Sequence, residues 1–294
     1  MLNFQPPGFQ QRAIATSLGV VAYYTPAAPP WQPPSDAPTL VFLHSLGGGS
    51  SAYEWSKVYA AFANQYSVIA PDLVGWGQSA HPVRDYRVED YLQMLTEFLE
   101  QVCHPPTVVF AASLTAGIVI RLAIQRPDLF RQLILVAPSG YGDFGNNYAQ
   151  SLSAQLAGVP GLNQLIYALG AANELAVRNF LEQFLFARRD RISPEIVAAY
   201  LASATQMNAQ YAALSALKGD LCFDLAYFFP QLTVPTVLLW GEKAWFSTLE
   251  TGKRLASLNP TAVQALISIP DAGVLPHLEV PAVVVGLVQL WLNA

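Results

Sequence analysis

Short, almost wholly apolar runs alternate with helical periodicities through the first half of this 294-residue chain. Thr39–His44, Tyr66–Ala70, Thr107–Ala112 and Gln132–Ala137 are such runs, and Val88–Val102 places Tyr91, Leu92, Leu95, Phe98 and Leu99 at helical spacing. A strand covered on both faces has no polar side to show, so it loses the apolar–polar alternation of a half-exposed strand. The rhythm therefore predicts a parallel sheet with helices on both faces, an α/β fold. Leu18–Tyr24 reads as a further strand, Pro26–Pro38 as a Pro-rich surface connection, and Ala52–Asn64 as a helix with Trp55, Val58, Tyr59 and Phe62 on its apolar stripe. The rhythm breaks after Pro138. Tyr141 to Phe229 is helical in pattern, with turn signals at Val159-Pro160-Gly161 and Ser193-Pro194; strands return at Thr236–Trp240 and Ala265–Ile269. This predicts a core formed by residues 1–140 and 231–294, interrupted by a helical segment at 141–230. Within that segment, Leu162, Leu165, Ile166 and Leu169, and then Leu181, Phe184, Leu185 and Phe186, read as core packing, with a subset available to line a pocket.

Charged residues make up 12% of the chain and hydrophobic ones 53%, against about 25% charged in an ordinary soluble domain. A weakly charged surface leaves open self-association, contact with a membrane surface, or a large apolar cavity. The net charge of −5 speaks against nucleic acid, which selects basic patches. Arg188, Arg189 and Arg191 read as a solvated helix end. Cys103 and Cys222 are too few for a disulfide framework or a zinc site, and no His/Cys/carboxylate cluster has metal-ligand spacing. Gly47-Gly48-Gly49-Ser50-Ser51 lacks the Lys of a phosphate-binding loop. No metal or cofactor is expected. Met1–Thr16 has no apolar signal core, and Ala282–Trp291 reads as a buried helix too short to span a bilayer. The expected setting is the cytoplasm.

Ser113 stands between the run ending at Ala112 and a helix-like stretch beginning at Leu114. Strand, serine, helix is the layout of a nucleophile elbow, a turn tight enough to need small residues two before and two after the serine. Ala111 and Thr115 occupy those positions.

Several blocks follow one another along the chain: Leu43-His44-Ser45-Leu46-Gly47-Gly48, Pro71-Asp72-Leu73-Val74-Gly75-Trp76-Gly77-Gln78-Ser79, Ala111-Ala112-Ser113-Leu114-Thr115, Arg126-Pro127-Asp128 with Leu135-Val136-Ala137-Pro138, Trp240-Gly241-Glu242-Lys243, and Ile269 to Glu279. In this order they resemble the α/β-hydrolase superfamily in its lid-bearing esterase, epoxide-hydrolase and haloperoxidase-like branch. The resemblance implies an α/β-hydrolase fold with a helical lid, Ser113 as nucleophile, and an oxyanion hole from the N–H groups of Leu46 and Leu114. It also places the triad acid at Ala244 and the triad histidine at Val274. Neither side chain can carry a proton, and a serine hydroxyl without a base is a poor nucleophile.

Other residues could stand in. Among histidines, His277 lies nearly one helical turn beyond Val274, and His81 follows the Gly-x-Gly-x-Ser turn. His44 reads as structural, and His104 as a surface residue at the far end of the sheet. Among acids, Asp143 reads as part of the entry turn into the helical segment, Glu242 and Glu250 as solvated, and Asp271 as ordering its own turn. Three functions follow as expectations. The first is a degenerate hydrolase that binds a small, mostly apolar ligand under the lid. The second is an active serine hydrolase with a relocated base such as His277 or His81. The third is a scaffold for a membrane or a partner.

Overall fold

The computed structural model describes residues 4–146, 148, 151–159 and 162–292. Its eight strands are β1 (Phe9–Ala15), β2 (Val20–Pro26), β3 (Thr39–Leu43), β4 (Ser67–Pro71), β5 (Thr107–Ala112), β6 (Phe130–Val136), β7 (Thr236–Gly241) and β8 (Val263–Ile269). They form one sheet in the order β1-β2-β4-β3-β5-β6-β7-β8. From β4 through β8 every pairing is parallel, whereas β1 pairs antiparallel with β2, and β2 with β4. The central strands β5 and β7 are buried at every residue, which is why their sequences are continuously apolar rather than alternating.

The helices are α1 (Ser56–Tyr59), α2 (Val88–Val102), α3 (Ser113–Gln125), then α4 (Leu152–Ala157), α5 (Leu162–Gly170), α6 (Glu174–Phe180), α7 (Pro194–Ala204), α8 (Ala209–Lys218) and α9 (Leu225–Phe228) between β6 and β7. After β7 come α10 (Leu249–Leu258), α11 (Pro276–Glu279) and α12 (Pro281–Leu292). Helix α2 starts where the Asp90 carboxylate accepts from the Arg87 N–H at 2.8 Å, satisfying an otherwise orphaned donor. Helix α7 starts at Ser193, whose Oγ accepts from the Ile196 N–H, with Pro194 at the first helical position. The core is centred on β3 and β5, where the rings of Phe42 and Phe110 stack at 4.3 Å and Trp55 donates to the Leu43 carbonyl at 2.9 Å.

Four expectations change. The strand β1 was not foreseen: only Phe9 of its seven residues is buried, because an edge strand is held by its hydrogen-bond ladder to β2 rather than by an apolar face. The stretch Ala52–Asn64 is not one helix but a 3-10 turn, the four-residue α1 and a second 3-10 turn, though Trp55, Val58, Tyr59 and Phe62 are all buried as expected. Helix α12 is buried only at Val284 and Val288. Helix α5, read as core packing, buries none of its residues, whereas Leu181, Leu185 and Phe186 do join the core. No helix among the described residues is long and apolar enough to cross a membrane.

Candidate active site

Ser113 is the first residue of α3, directly after β5, and its φ of 54° is left-handed. A non-glycine residue there carries strain on the order of 1–2 kcal/mol, tolerated when the surroundings fix it. The surroundings leave little room. The backbone N–H of Ser139, just beyond β6, donates to the Ser113 carbonyl at 3.3 Å. A Cβ on Gly117 would lie 2.5 Å from the Ser139 carbonyl, so glycine at 117 is what lets the first turns of α3 approach the end of β6.

A cavity of 480 Å³ opens over Ser113. Leu46, Gly47 and Gly48 form one wall, Phe180, Leu185, Ala213, Ala216 and Leu217 from the helices between β6 and β7 cover it, and Tyr141, Tyr148, Phe246, Val274 and Leu275 complete it. Ser113, the loop bearing Leu46, and Val274, the position at which the resemblance led us to expect a histidine, thus share one cavity. Ala244 is 5% exposed and does not line it. Leu114 follows Ser113 in the first turn of α3, where a helix supplies no acceptor for its N–H groups.

The partner of Ser113 is Tyr141. Its phenol oxygen lies 3.1 Å from the Ser113 Oγ. Burial pushes the phenol up to about 12, so it keeps its proton at neutral pH. Tyr141 is itself held at φ 59° by a compact network: its N–H donates to the Ser139 Oγ at 3.0 Å, and the Ser139 hydroxyl donates to Asp143 at 2.6 Å. The Asp143 carboxylate also accepts from the N–H groups of Gly140 and Leu225, each at 3.0 Å. Burial raises the Asp143 pKa, with these hydrogen bonds opposing it. Asp143 orders the turn after β6, as expected, and serves no histidine.

No histidine lines the cavity among the described residues. His277 is fully buried, stacked on Trp55 with ring centroids 3.8 Å apart, and its Nε2 lies 3.9 Å from Glu54. His81 is half-buried on its loop, and burial lowers its pKa. The His44 Nδ1 lies 2.5 Å from the Ser45 carbonyl in its own loop, and its Nε2 accepts from the Leu73 N–H at 2.9 Å, which ties the end of β3 to the turn after β4. His104 is exposed. Of the acids, Glu242 and Glu250 are exposed, and Asp271 pairs with Arg191 at 2.9 Å.

Two acids escaped the sequence reading. Glu54 is buried behind the cavity wall, where its carboxylate accepts from the Ser45 N–H at 2.8 Å, the Ser45 hydroxyl at 2.9 Å and the Tyr200 phenol at 2.9 Å. Burial works against charge here: it pushes His277 below its usual range and opposes ionisation of Glu54. The neighbouring imidazoles of His277 and His44, with the Ser45 N–H, nevertheless bring Glu54 down to about 2. Ser45, where the family's pattern has glycine, is thus a partner for Glu54. Glu279 accepts from the N–H groups of Gly273, Ala187 and Arg188 at 2.6, 3.0 and 3.0 Å and from Arg191 at 3.1 Å. Arg191 and Arg188 also reach Asp271. Arg188 and Arg191 are therefore not merely part of a solvated helix end: they clamp the segment after α6 onto the turn that carries Val274, whereas Arg189 is exposed and pairs with Glu182.

The model of the alpha/beta hydrolase fold family matches residues 38–281. An uncharacterised protein of Mycobacterium bovis is 35% identical over 103 residues, which is 35% of this chain and 30% of that protein, so the chain matches less than a third of this relative's length. The 3-oxoadipate enol-lactonase 2 of Acinetobacter baylyi is 26% identical over 251 residues, covering 84% of this chain and 85% of that one. Among solved structures, wild-type Cfl2 from Burkholderia cenocepacia superposes with a TM-score of 0.79 at 19% identity, over 98% of each chain. The sheet order, the turn at Ser113 and the family match agree: the chain belongs to the α/β-hydrolase fold family.

Proposed function

We propose that this chain binds a small, mostly apolar ligand in the cavity over Ser113 and does not hydrolyse it. The observation that carries this reading is the company Ser113 keeps. Its hydroxyl pairs with a protonated phenol instead of an imidazole. Serine attack on a carbonyl needs a base within about 3.2 Å to accept the hydroxyl proton. A neutral phenol cannot take that proton, and Val274 and Ala244 supply no alternative. Loss of triad members in serine hydrolases costs on the order of 10⁴ to 10⁶ in rate.

Residues 141–230 act as the lid in this reading. The N–H groups of Leu46 and Leu114, with the Ser113–Tyr141 hydroxyl pair, offer hydrogen bonds to one ligand oxygen, while Phe180, Leu185, Phe246 and Val274 contact the apolar body. Binding of this kind rests on shape and apolar area, with a few polar groups setting orientation. A relocated base has no support in the positions of His277 and His81.

Titration with Nile red, a neutral apolar fluorophore, tests the reading. Saturable binding is expected, displaced by neutral medium-chain ketones and changed by Ser113→Ala within about twofold. Absence of saturable binding would overturn it.

A further inference from the structure

The helices between β6 and β7 turn an apolar stripe outward. Leu162, Leu165 and Leu169 of α5 are 37%, 53% and 67% exposed, and their spacing of three and four residues puts them on one helix face. The other side of α5 is the anchored one: the Tyr167 phenol donates to the Ala204 carbonyl of α7 at 2.7 Å. Leu156 and Val159 before α5 and Leu175 after it are 41%, 46% and 69% exposed. From Phe144 to Asn173 the sequence contains no Asp, Glu, Lys, Arg or His.

This face adjoins the rim of the cavity. A Cβ on Gly48, which lines the cavity, would meet Ala171, just beyond α5, at 3.4 Å. From α6 a row of aromatic rings continues through Phe180 and Phe184 to Trp245 and Phe246, at 5.8, 5.5 and 5.3 Å between centroids. Trp245 and Phe246 are 58% and 41% exposed.

We propose that this face docks on an electrically neutral lipid surface. The charge-free sequence carries the choice of partner. The stretch from Phe144 to Asn173, without ionised groups, matches the uncharged or zwitterionic face of a bilayer, and the chain's net charge of −5 is repelled by anionic lipid. The leucines stand out from a helix instead of lining a recess, so they offer a protein partner no pocket for the anchoring side chains that hold such interfaces together. A soft hydrocarbon boundary accepts protruding leucines directly, with tryptophan at its edge. The apolar cavity opening beside the same face gives a membrane-dissolved ligand a short path to Ser113.

The test is co-sedimentation of the full chain with phosphatidylcholine vesicles at low and high salt. Binding is expected to be unchanged by salt. It should fall at least about tenfold in Leu165→Asp/Leu169→Asp and in the milder Leu165→Gln/Leu169→Gln, with Nile red binding in the cavity preserved in both. The proposal fails if the chain does not sediment with these vesicles, if both double variants sediment as the wild type does, or if binding needs anionic lipid and disappears at high salt. It also fails if the chain ignores vesicles and forms a dimer that the same substitutions dissolve, which would make a second copy the occupant. Loss of Nile red binding with vesicle binding intact would overturn the ligand reading and leave this one standing.

Discussion

The hydroxyl of Ser113 lies 3.1 Å from the phenol of Tyr141, and both residues are left-handed, at φ 54° and 59°. The two strained residues come from the ends of adjacent strands, β5 and β6, and each fixes the other's side chain.

Tyr141→Phe isolates that contact. Ser113 is 6% exposed, so loss of its partner leaves a nearly buried hydroxyl unsatisfied at a cost of about 1 kcal/mol. Urea denaturation should show this destabilisation, and Ser113→Ala/Tyr141→Phe should recover part of it. A Tyr141→Phe protein as stable as the wild type would deny the pair any energetic role.

Glu279 is the joint between the segment after α6 and the turn carrying Val274. Its side chain is fully buried, with three backbone N–H donors and Arg191 around it. Glu279→Ala strands these donors and should cost about 3–5 kcal/mol. Thermal unfolding measures it, and a loss under about 1 kcal/mol would mean that the clamp is no stronger than a surface ion pair.

The stack of His277 on Trp55 predicts acid sensitivity. Burial holds the His277 pKa below its ordinary value of 6.5, so the folded state binds this proton more weakly than the unfolded one. Its stabilising contribution is complete above pH 6.5 and is lost as the pH falls from there toward the folded-state value. His277→Phe keeps an aromatic ring on Trp55 and removes the titration. Between pH 7.5 and 5.5 the variant should lose less stability than the wild type, as read by denaturant midpoints. Equal losses would show that His277 does not contribute.

In the proposed reading, Val274 and Ala244 occupy the positions of a base and its orienting carboxylate. Ala244→Asp/Val274→His should raise ester hydrolysis above background. A misplacement of about 1 Å would hold it roughly 10² below a natural triad. A double variant that folds, binds Nile red and stays at background would show that more than these two side chains separates the site from a working one.

The fold was legible because its signals are local. A strand buried on both faces has to be apolar throughout, so β3, β4, β5 and β7 and the buried end of β6 could be read from composition, and the turn at Ser113 from the junction of two periodicities. β1 was invisible because its stability lies in a ladder with β2 and not in its side chains. For α5 the periodicity of Leu162, Leu165 and Leu169 announced an apolar face but not the side to which it turns, which only tertiary contacts decide. Of the site, the turn at Ser113 was legible in the sequence, and the side chains that surround it were not. Tyr141 meets Ser113 across 28 residues of sequence, and Glu54 meets Tyr200 across 146. No spacing rule reaches so far. Tyr141 had one weak signal, its place at the end of the strand beside the elbow.

Whether anything activates Ser113 is read from the rate of p-nitrophenyl ester hydrolysis by the wild-type chain beside Ser113→Ala. With a phenol as the partner of the hydroxyl, the two rates should coincide and lie near the uncatalysed background. Robust turnover by the wild type, abolished in Ser113→Ala, would contradict this expectation and require a proton acceptor within reach of the Ser113 hydroxyl.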